Sequence, residues 1–360
     1  MKTALKDILT RARQNTHFTL KEVMVQTDID TALLSKFEKG RRIPTDAQIQ
    51  QLAQCYGIPL ADLKKQQLAE RIFEVIKDEH FAYEALLLAE PRIQYLLHKK
   101  LQEQFCISPS TEELLQELDQ LKHSFKQLSK ENDLHQSKVD EQYNLKYTYE
   151  SNKIEGNTLT LRETMLVIKE GITISGKSVH EHLEAINHTE AIALMFDFIE
   201  QKVHFRPSIL LDLHALILRG INSDYAGRYR SVPVQISGAK HRPPEPFLVP
   251  KLMEDYFLFY EEYRNLIHPV ILAAEMHERL VTIHPFVDGN GRTSRLVMNL
   301  ILSMHGYPIA ILKGEPAARL QYFQALEDVQ VNGDPEPFHQ LVIQNLMQNV
   351  KERIHLMKAC

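Results

Sequence analysis

No run of about 18 apolar residues occurs anywhere in the 360-residue chain, which excludes a membrane-spanning helix. The N-terminal "MKTALKDILTRARQ" lacks an apolar core followed by a small-residue cleavage site, so no secretory leader is expected. Cysteine is scarce: Cys55, Cys106 and Cys360 are odd in number and far apart. That excludes a disulfide framework and paired metal-ligand spacing, and it reads as free thiols in a reducing cytoplasm. There is no internal repeat and no low-complexity tract. What is present is ordinary for a globular protein, with 44% hydrophobic and 25% charged residues. The length allows two or three domains and at least one sizeable core.

Charge is unevenly spread. Residues 1–65 hold eleven Lys/Arg against seven Asp/Glu, a balance of +4, and the remainder holds 31 against 40, a balance of −9. A basic head on an acidic body assigns any nucleic-acid contact to the head. That head reads as five short helices, with capping-box spacing at Thr19 and Glu22 and a helix stop at Gly40 before Pro44. Residues 66–140 read as a helical connector, for which a solvated packing helix outweighs self-association into a homo-oligomer. From 141 to 360 the pattern is again helical, interrupted by "YRSVPVQISGAKHRPPEP". There the alternation of Val232, Val234 and Ile236 and the turn at Ser237-Gly238 predict one β-hairpin. The expected fold class is therefore mainly α: a helix-turn-helix head, a connector, and an all-α domain with one β flap.

Chemistry concentrates in "HPFVDGNGRTSR", His284 to Arg295. A helix should end at or just before Pro285, and an apolar-striped helix should begin near Arg292. A glycine-rich loop feeding a helix N-terminus presents backbone N–H groups to an anion, and Gly289 and Gly291 let the backbone approach it closely. Arg292 and Arg295 lie three apart on one helix face, suited to phosphate oxygens. Asp288 beside a phosphate cradle is repulsive unless Mg²⁺ sits between them. His284 is the nearby group that titrates near neutral pH and is the natural general base. Each feature alone is commonplace, since a His before Pro is usually structural and "GNG" is usually a turn. Together within twelve residues they read as a site for a Mg-nucleotide. It is not a Walker-A loop, because the glycine spacing and the Lys-Ser/Thr pair are absent.

Two resemblances extend this reading. Residues 4–64, through "SKFEKGRRIP" and "LAQCYGIPLADL", resemble the phage-repressor-like helix-turn-helix family, with Met24 in place of the usual alanine and Asp28 in place of the usual glycine. The resemblance implies a recognition helix at Asp30–Lys39, with Thr31, Ser35 and Lys36 facing a DNA groove and Lys39, Arg41 and Arg42 near phosphates. Asp can take the left-handed conformation that the turn needs.

"HPFVDGNGR" with the trailing Arg295 is similar to the signature of Fic-domain proteins, and the resemblance runs roughly from Tyr147 to Phe338. It implies transfer of AMP from ATP to a Ser, Thr or Tyr hydroxyl of a target protein. By position, His284 would deprotonate the hydroxyl, Asp288 would hold Mg²⁺, and Phe286 would anchor the loop. Gly289, Asn290 and Gly291 would cradle phosphates, continuing through Arg292, Thr293, Ser294 and Arg295. Glycine at 291, where phosphate-transferring relatives look to carry lysine, favours nucleotidyl transfer. The flap at Val232, Val234, Gln235, Ile236 and Ser237 would receive the target's backbone as an added strand. Upstream, "SNKIEGN" matches the inhibitory motif of Fic proteins whose inhibitory helix, here near 147–156, precedes the catalytic core. Ser151 and Glu155 share a helix face, and the resemblance implies that Glu155 pairs with Arg295 and misorients ATP. In some relatives the same glutamate serves removal of AMP. An ATP-sensing regulator without catalysis is disfavoured, because sensing needs no general base.

Overall fold

The computed structural model describes residues 4–105, 107–131 and 133–358. Of the three thiols, Cys55 is free, and Cys106 and Cys360 lie outside the described residues. The chain divides into two compact units, residues 1–97 and 98–360.

The smaller unit contains α1 (Leu5–Asn15), α2 (Leu20–Thr27), α3 (Thr31–Glu38), α4 (Asp46–Tyr56), α5 (Leu60–Ile76) and the larger part of α6 (Ala82–Gln104). The helix starts are set locally. Thr19 and Glu22 form a reciprocal capping box on α2, Thr45 and Gln48 do the same on α4, and Asp30 caps α3 by accepting from the Ala32 N–H at 2.8 Å. Asp28 closes α2 at φ 55°, and its N–H reaches the Met24 carbonyl at 2.8 Å. Val23, Leu34, Phe37, Ile49, Leu52 and Leu63 form the centre of this unit's core.

The larger unit runs through α7 (Pro109–Glu131), α8 (Asp133–Ile154), α9 (Leu161–Glu170), α10 (Val179–Glu200), α11 (Pro207–Ile217), α12 (Val249–Tyr263), α13 (Pro269–Ile283), α14 (Asn290–Met304), α15 (Pro316–Glu327) and α16 (Glu336–Lys358). Helices α13 and α14 pack against each other more extensively than any other pair, and α10, α11, α12 and α16 pack around them. Both are buried nearly all round, as central helices must be, with Ile271, Leu272, Met276 and Leu280 on α13 and Leu296, Leu300 and Ile301 on α14 fully buried. Each such side chain contributes about 1.5–3 kcal/mol by leaving water. The loop joining them, residues 284–289, is thus held between two rigid elements. It carries the histidine and the aspartate.

Two expectations need revising. The segment 66–140 does not stand apart as a connector. Its first part extends α5 and forms α6, while α7 buries Leu115, Leu118 and Phe125 in the large core and packs on α16. The flap is also not a β-hairpin, and no strand is present among the described residues. Residues 232–245 turn at Ser237-Gly238, with the Ala239 N–H on the Ile236 carbonyl at 3.2 Å, but the two arms do not pair. Pro233, Pro243 and Pro244 lack the N–H groups a ladder needs, and the carbonyls of Val232 and Pro244 instead accept from the guanidinium of Arg230 at 3.2 and 2.5 Å.

Candidate active site

His284 ends α13 in the left-handed region, at φ 49°, and turns the chain into the loop. Its Nδ1 lies 3.2 Å from the Val281 carbonyl. A carbonyl only accepts, so Nδ1 carries the proton and the lone pair resides on Nε2. Burial pushes the imidazole pKa down and Arg230 and His241 push the same way, against the Val281 contact and Glu155. The ring is therefore a neutral acceptor at neutral pH.

The loop is stapled from three sides. Phe286 is fully buried and stacks on the His214 ring at 3.6 Å between centroids. Asn290 spans the loop in both directions, accepting from the Phe286 N–H and donating to the Phe286 carbonyl, each at 2.9 Å. His214 takes the Gly227 N–H on Nδ1 at 2.9 Å, which fixes its tautomer, and donates from Nε2 to the Asp288 carbonyl at 3.0 Å. Burial pushes His214 down to about 4, so this prop stays neutral and intact through the physiological range. Gly289 starts α14 at φ 77°, and a β-carbon there would sit 3.1 Å from Ile217 Cγ2, so conformation and packing both call for glycine.

The start of α14 offers the N–H groups of Asn290, Gly291 and Arg292 without carbonyl partners in their own helix, at its positive end. The two arginines beyond them are not solvated. Arg292 is 3% exposed and divides its fork between Glu184 Oε1 at 2.7 Å and Asp288 Oδ1 at 3.2 Å. Arg295 is 1% exposed; it donates from Nε to the Ser151 hydroxyl at 3.0 Å and from Nη2 to the Ser151 carbonyl at 2.9 Å and Glu155 Oε1 at 2.7 Å. Burial works against that guanidinium's charge, but Glu155, Tyr322 and Tyr147 outweigh it and raise its pKa. The neighbouring His188 and His277 are fully buried and pushed well down by burial and by Arg295, so they add no competing charge.

Glu155 follows the end of α8 and fills the space over Gly291: a β-carbon at 291 would come within 2.3 Å of Glu155 Oε1. The next turn is tied in as well. Asn157 donates to Glu184 Oε2 at 2.8 Å, so one carboxylate joins the end of "SNKIEGN" to Arg292. Glu150 on α8 accepts the Gly314 N–H at 2.7 Å, and a β-carbon at 314 would meet Lys153 Cβ at 2.8 Å and the Ile154 backbone nitrogen at 3.0 Å.

Of the residues singled out from sequence, His284, Phe286, Asp288 to Arg295, Ser151 and Glu155 come together here. Three of them face inward. Asn290 is spent on the loop, Ser294 donates to the Gly291 carbonyl at 2.9 Å, and the Thr293 hydroxyl is fully buried. Val232, Gln235 and Ser237 are exposed, and Val234 and Ile236 half-buried, on the unpaired flap segment. In the small unit, Lys36, Lys39, Arg41 and Arg42 are exposed and Thr31 and Ser35 half-buried along and just after α3. Sequence reasoning missed His214, Arg230, Glu184 and Gly314. They touch the site through tertiary packing, and no local motif read from the sequence points to them.

The fold and this loop define a class: the chain is a Fic-domain protein, with residues 204–302 matching the Fic/DOC family. It is 36% identical over 193 residues to a Drosophila grimshawi protein named protein adenylyltransferase Fic, covering 53% of this chain and 39% of that protein. A protein of the same name from Drosophila sechellia is 31% identical over 265 residues, covering 73% and 52%. The chain thus spans between about two-fifths and half the length of these curated relatives. Among solved structures, it resembles a Fic-domain-containing signaling protein from Bacteroides thetaiotaomicron at 26% identity and TM-score 0.61, covering 67% of this chain and 97% of that one. Fic-1 of C. elegans shares the fold at TM-score 0.62 and 23% identity, covering 94% and 98%.

The contacts of Gly314 generate a prediction. Gly314→Ala should cost about 1–3 kcal/mol through overpacking and displace the end of α8. Backbone amides of residues 150–157 should then exchange hydrogen faster than in the wild type. Unchanged exchange there would mean that the 310–315 segment does not hold that helix end.

Proposed function

We propose that this chain is a self-inhibited protein adenylyltransferase with a DNA-binding head. The observation that carries the catalytic part is the juxtaposition of a neutral His284, its lone pair on Nε2, with an anion-binding start of α14 that bears two buried arginines. The name of the Drosophila relatives supports it. In this reading His284 Nε2 takes the proton of a Ser, Thr or Tyr hydroxyl on a target protein. The hydroxyl oxygen bonds to the α-phosphorus of ATP as the bond to the β-phosphate oxygen breaks, and pyrophosphate leaves. The N–H groups of Asn290, Gly291 and Arg292 hold phosphate oxygens, and Arg295, once freed, holds the outer phosphate.

The residues present fit a hard cation. Asp288 is 47% exposed, and its Oδ1 is engaged by the Gly289 N–H at 2.5 Å and by Arg292. That leaves Oδ2 for Mg²⁺, which when bound would neutralise phosphate charge. Glu155 on Arg295 is the inhibitory contact, because the guanidinium cannot serve carboxylate and phosphate at once. Removal of AMP at the same site is a second reading, favoured by the proximity of Glu155 to His284 that raises the imidazole pKa.

For the head, the +4 balance of residues 1–65 and the exposed cations after α3 support duplex DNA as the ligand. No described helix is long and apolar enough to cross a membrane, and we place the protein in the cytoplasm on its cysteine usage.

His284→Ala should lower AMP transfer by about 10²–10⁴-fold while leaving Mg-ATP affinity nearly unchanged, as read by label transfer and calorimetry. A parallel loss of ATP affinity would assign the imidazole a structural role. Glu155→Gly should raise label transfer from ATP to protein, and Arg295→Ala in that background should abolish the gain, because the glutamate acts by occupying the arginine. A double variant as active as Glu155→Gly would route inhibition through another group. In the head, Arg41→Ala/Arg42→Ala should weaken duplex binding and flatten the log K against log salt slope by roughly one unit for each phosphate left without its cation. An unchanged slope and affinity would remove these residues from the interface.

A further inference from the structure

Arg230 is a buried cation, 3% exposed, and among the described residues it forms no ion pair. Burial lowers its pKa, with only Glu245 acting the other way. Leaving a buried guanidinium without a paired carboxylate is costly, which calls for a use.

The hydrogen bonds supply one. The Arg230 N–H donates to the Pro285 carbonyl at 2.8 Å and Nε to the His284 carbonyl at 2.7 Å, so backbone and side chain grip successive peptide groups at the turn carrying the base. The other two nitrogens reach the carbonyls of Val232 and Pro244, one on each arm of the unpaired flap segment. One planar group with a fixed fork therefore replaces the ladder that the flap prolines forbid and fastens both arms to the base. Its position is itself fixed. Gly227, three residues earlier, packs so closely on α11 that a β-carbon there would lie 3.1 Å from Ala215 Cβ and from the Leu211 carbonyl.

On the reading of the site given above, we propose that Arg230 is the positioning residue that ties the target-receiving flap to His284, so that flap geometry and the orientation of the base are set by one guanidinium. A second consequence runs through charge. Three charged or titratable groups face the imidazole: Arg230 and His241 lower its pKa, and Glu155 raises it. With Arg230 removed, His284 holds a proton to higher pH, and the neutral form that can accept a proton is reached only on the alkaline side of its present range. Lysine at 230 keeps the charge but cannot reach three carbonyls with a fixed fork.

The test compares Arg230, Arg230→Met and Arg230→Lys in the Glu155→Gly background, which removes the third group facing the ring. The expected results are an upward move of the His284 ring titration, followed by NMR, in Arg230→Met but not in Arg230→Lys. Hydrogen exchange across 231–245 should accelerate in both, with Mg-ATP affinity unchanged. Self-labelling from α-labelled ATP should fall by about 10²-fold in Arg230→Met, with its acid limb moved upward. Should Arg230→Met fail to fold, faster flap exchange with slower labelling in Arg230→Lys still supports the proposal, and wild-type exchange and labelling there overturn it. In a folded Arg230→Met, an unmoved ring titration or unchanged flap exchange overturns it as well. If Glu155→Gly carries no label at all, the adenylyltransferase reading fails, while titration and exchange still decide what Arg230 does.

Discussion

A guanidinium that is 1% exposed cannot borrow solvation from water, so the fold must answer its charge, and on Arg295 it does so at Nε and Nη2 while Nη1 has no hydrogen-bond partner among the described residues. The end of α8 gives most of that answer. Ser151 supplies a hydroxyl and a carbonyl, and Glu155 supplies the charge. Much of the surrounding architecture follows from delivering those groups to one place. Helix α8 must stop at Ile154 so that Glu155 can turn over the start of α14, and Gly291 must leave room beneath it. Glu150 and Gly314 fasten the helix from the far side, with no side chain at 314 to hold it off. The Glu155–Arg295 pair thus joins a fully buried guanidinium to a carboxylate that stays one-third exposed, at 33%.

The second arginine extends the same logic. Arg292 lies between Glu184 and Asp288, and Glu184 in turn receives Asn157 from the chain just past Glu155. Both arginines near the anion-binding helix start therefore report on the same short segment, residues 151–157. Loosening that segment changes the electrostatic potential over the whole loop at once, because the histidines around it are held neutral by burial and cannot compensate. In the proposed reading, a nucleotide entering here would meet a cradle whose positive charge is already balanced, and its phosphates would gain the backbone N–H groups before the guanidiniums.

What could be read from the sequence was what is encoded locally. The capping box at Thr19, the end of α13 before Pro285 and the beginning of α14 at the glycine-rich turn depend on a few adjacent residues, and these features lie where local chemistry puts them. The all-helical character of the large unit followed from the same periodicity. The flap misled because Val232, Val234 and Ile236 alternate as a strand does, while the groups that decide pairing are the prolines and Arg230, whose effect depends on a fold not visible in that window. The fate of α7 was hidden for a similar reason: a periodic helix shows that it has an apolar face but not which element covers it, here α16. His214, Glu184 and Gly314 carry no motif at all, and their importance arises only where α11, α10 and the segment after α14 converge on the loop.

Position 291 shows how tightly two distant stretches of this chain constrain one another. The carboxylate of residue 155 fills the space above its Cα, so a side chain at 291 would displace that acid from its present seat. A lysine at 291 would therefore push the carboxylate off Arg295 or require its loss. What stands at 291 and where the side chain of 155 sits are thus coupled, although 136 positions of chain separate them.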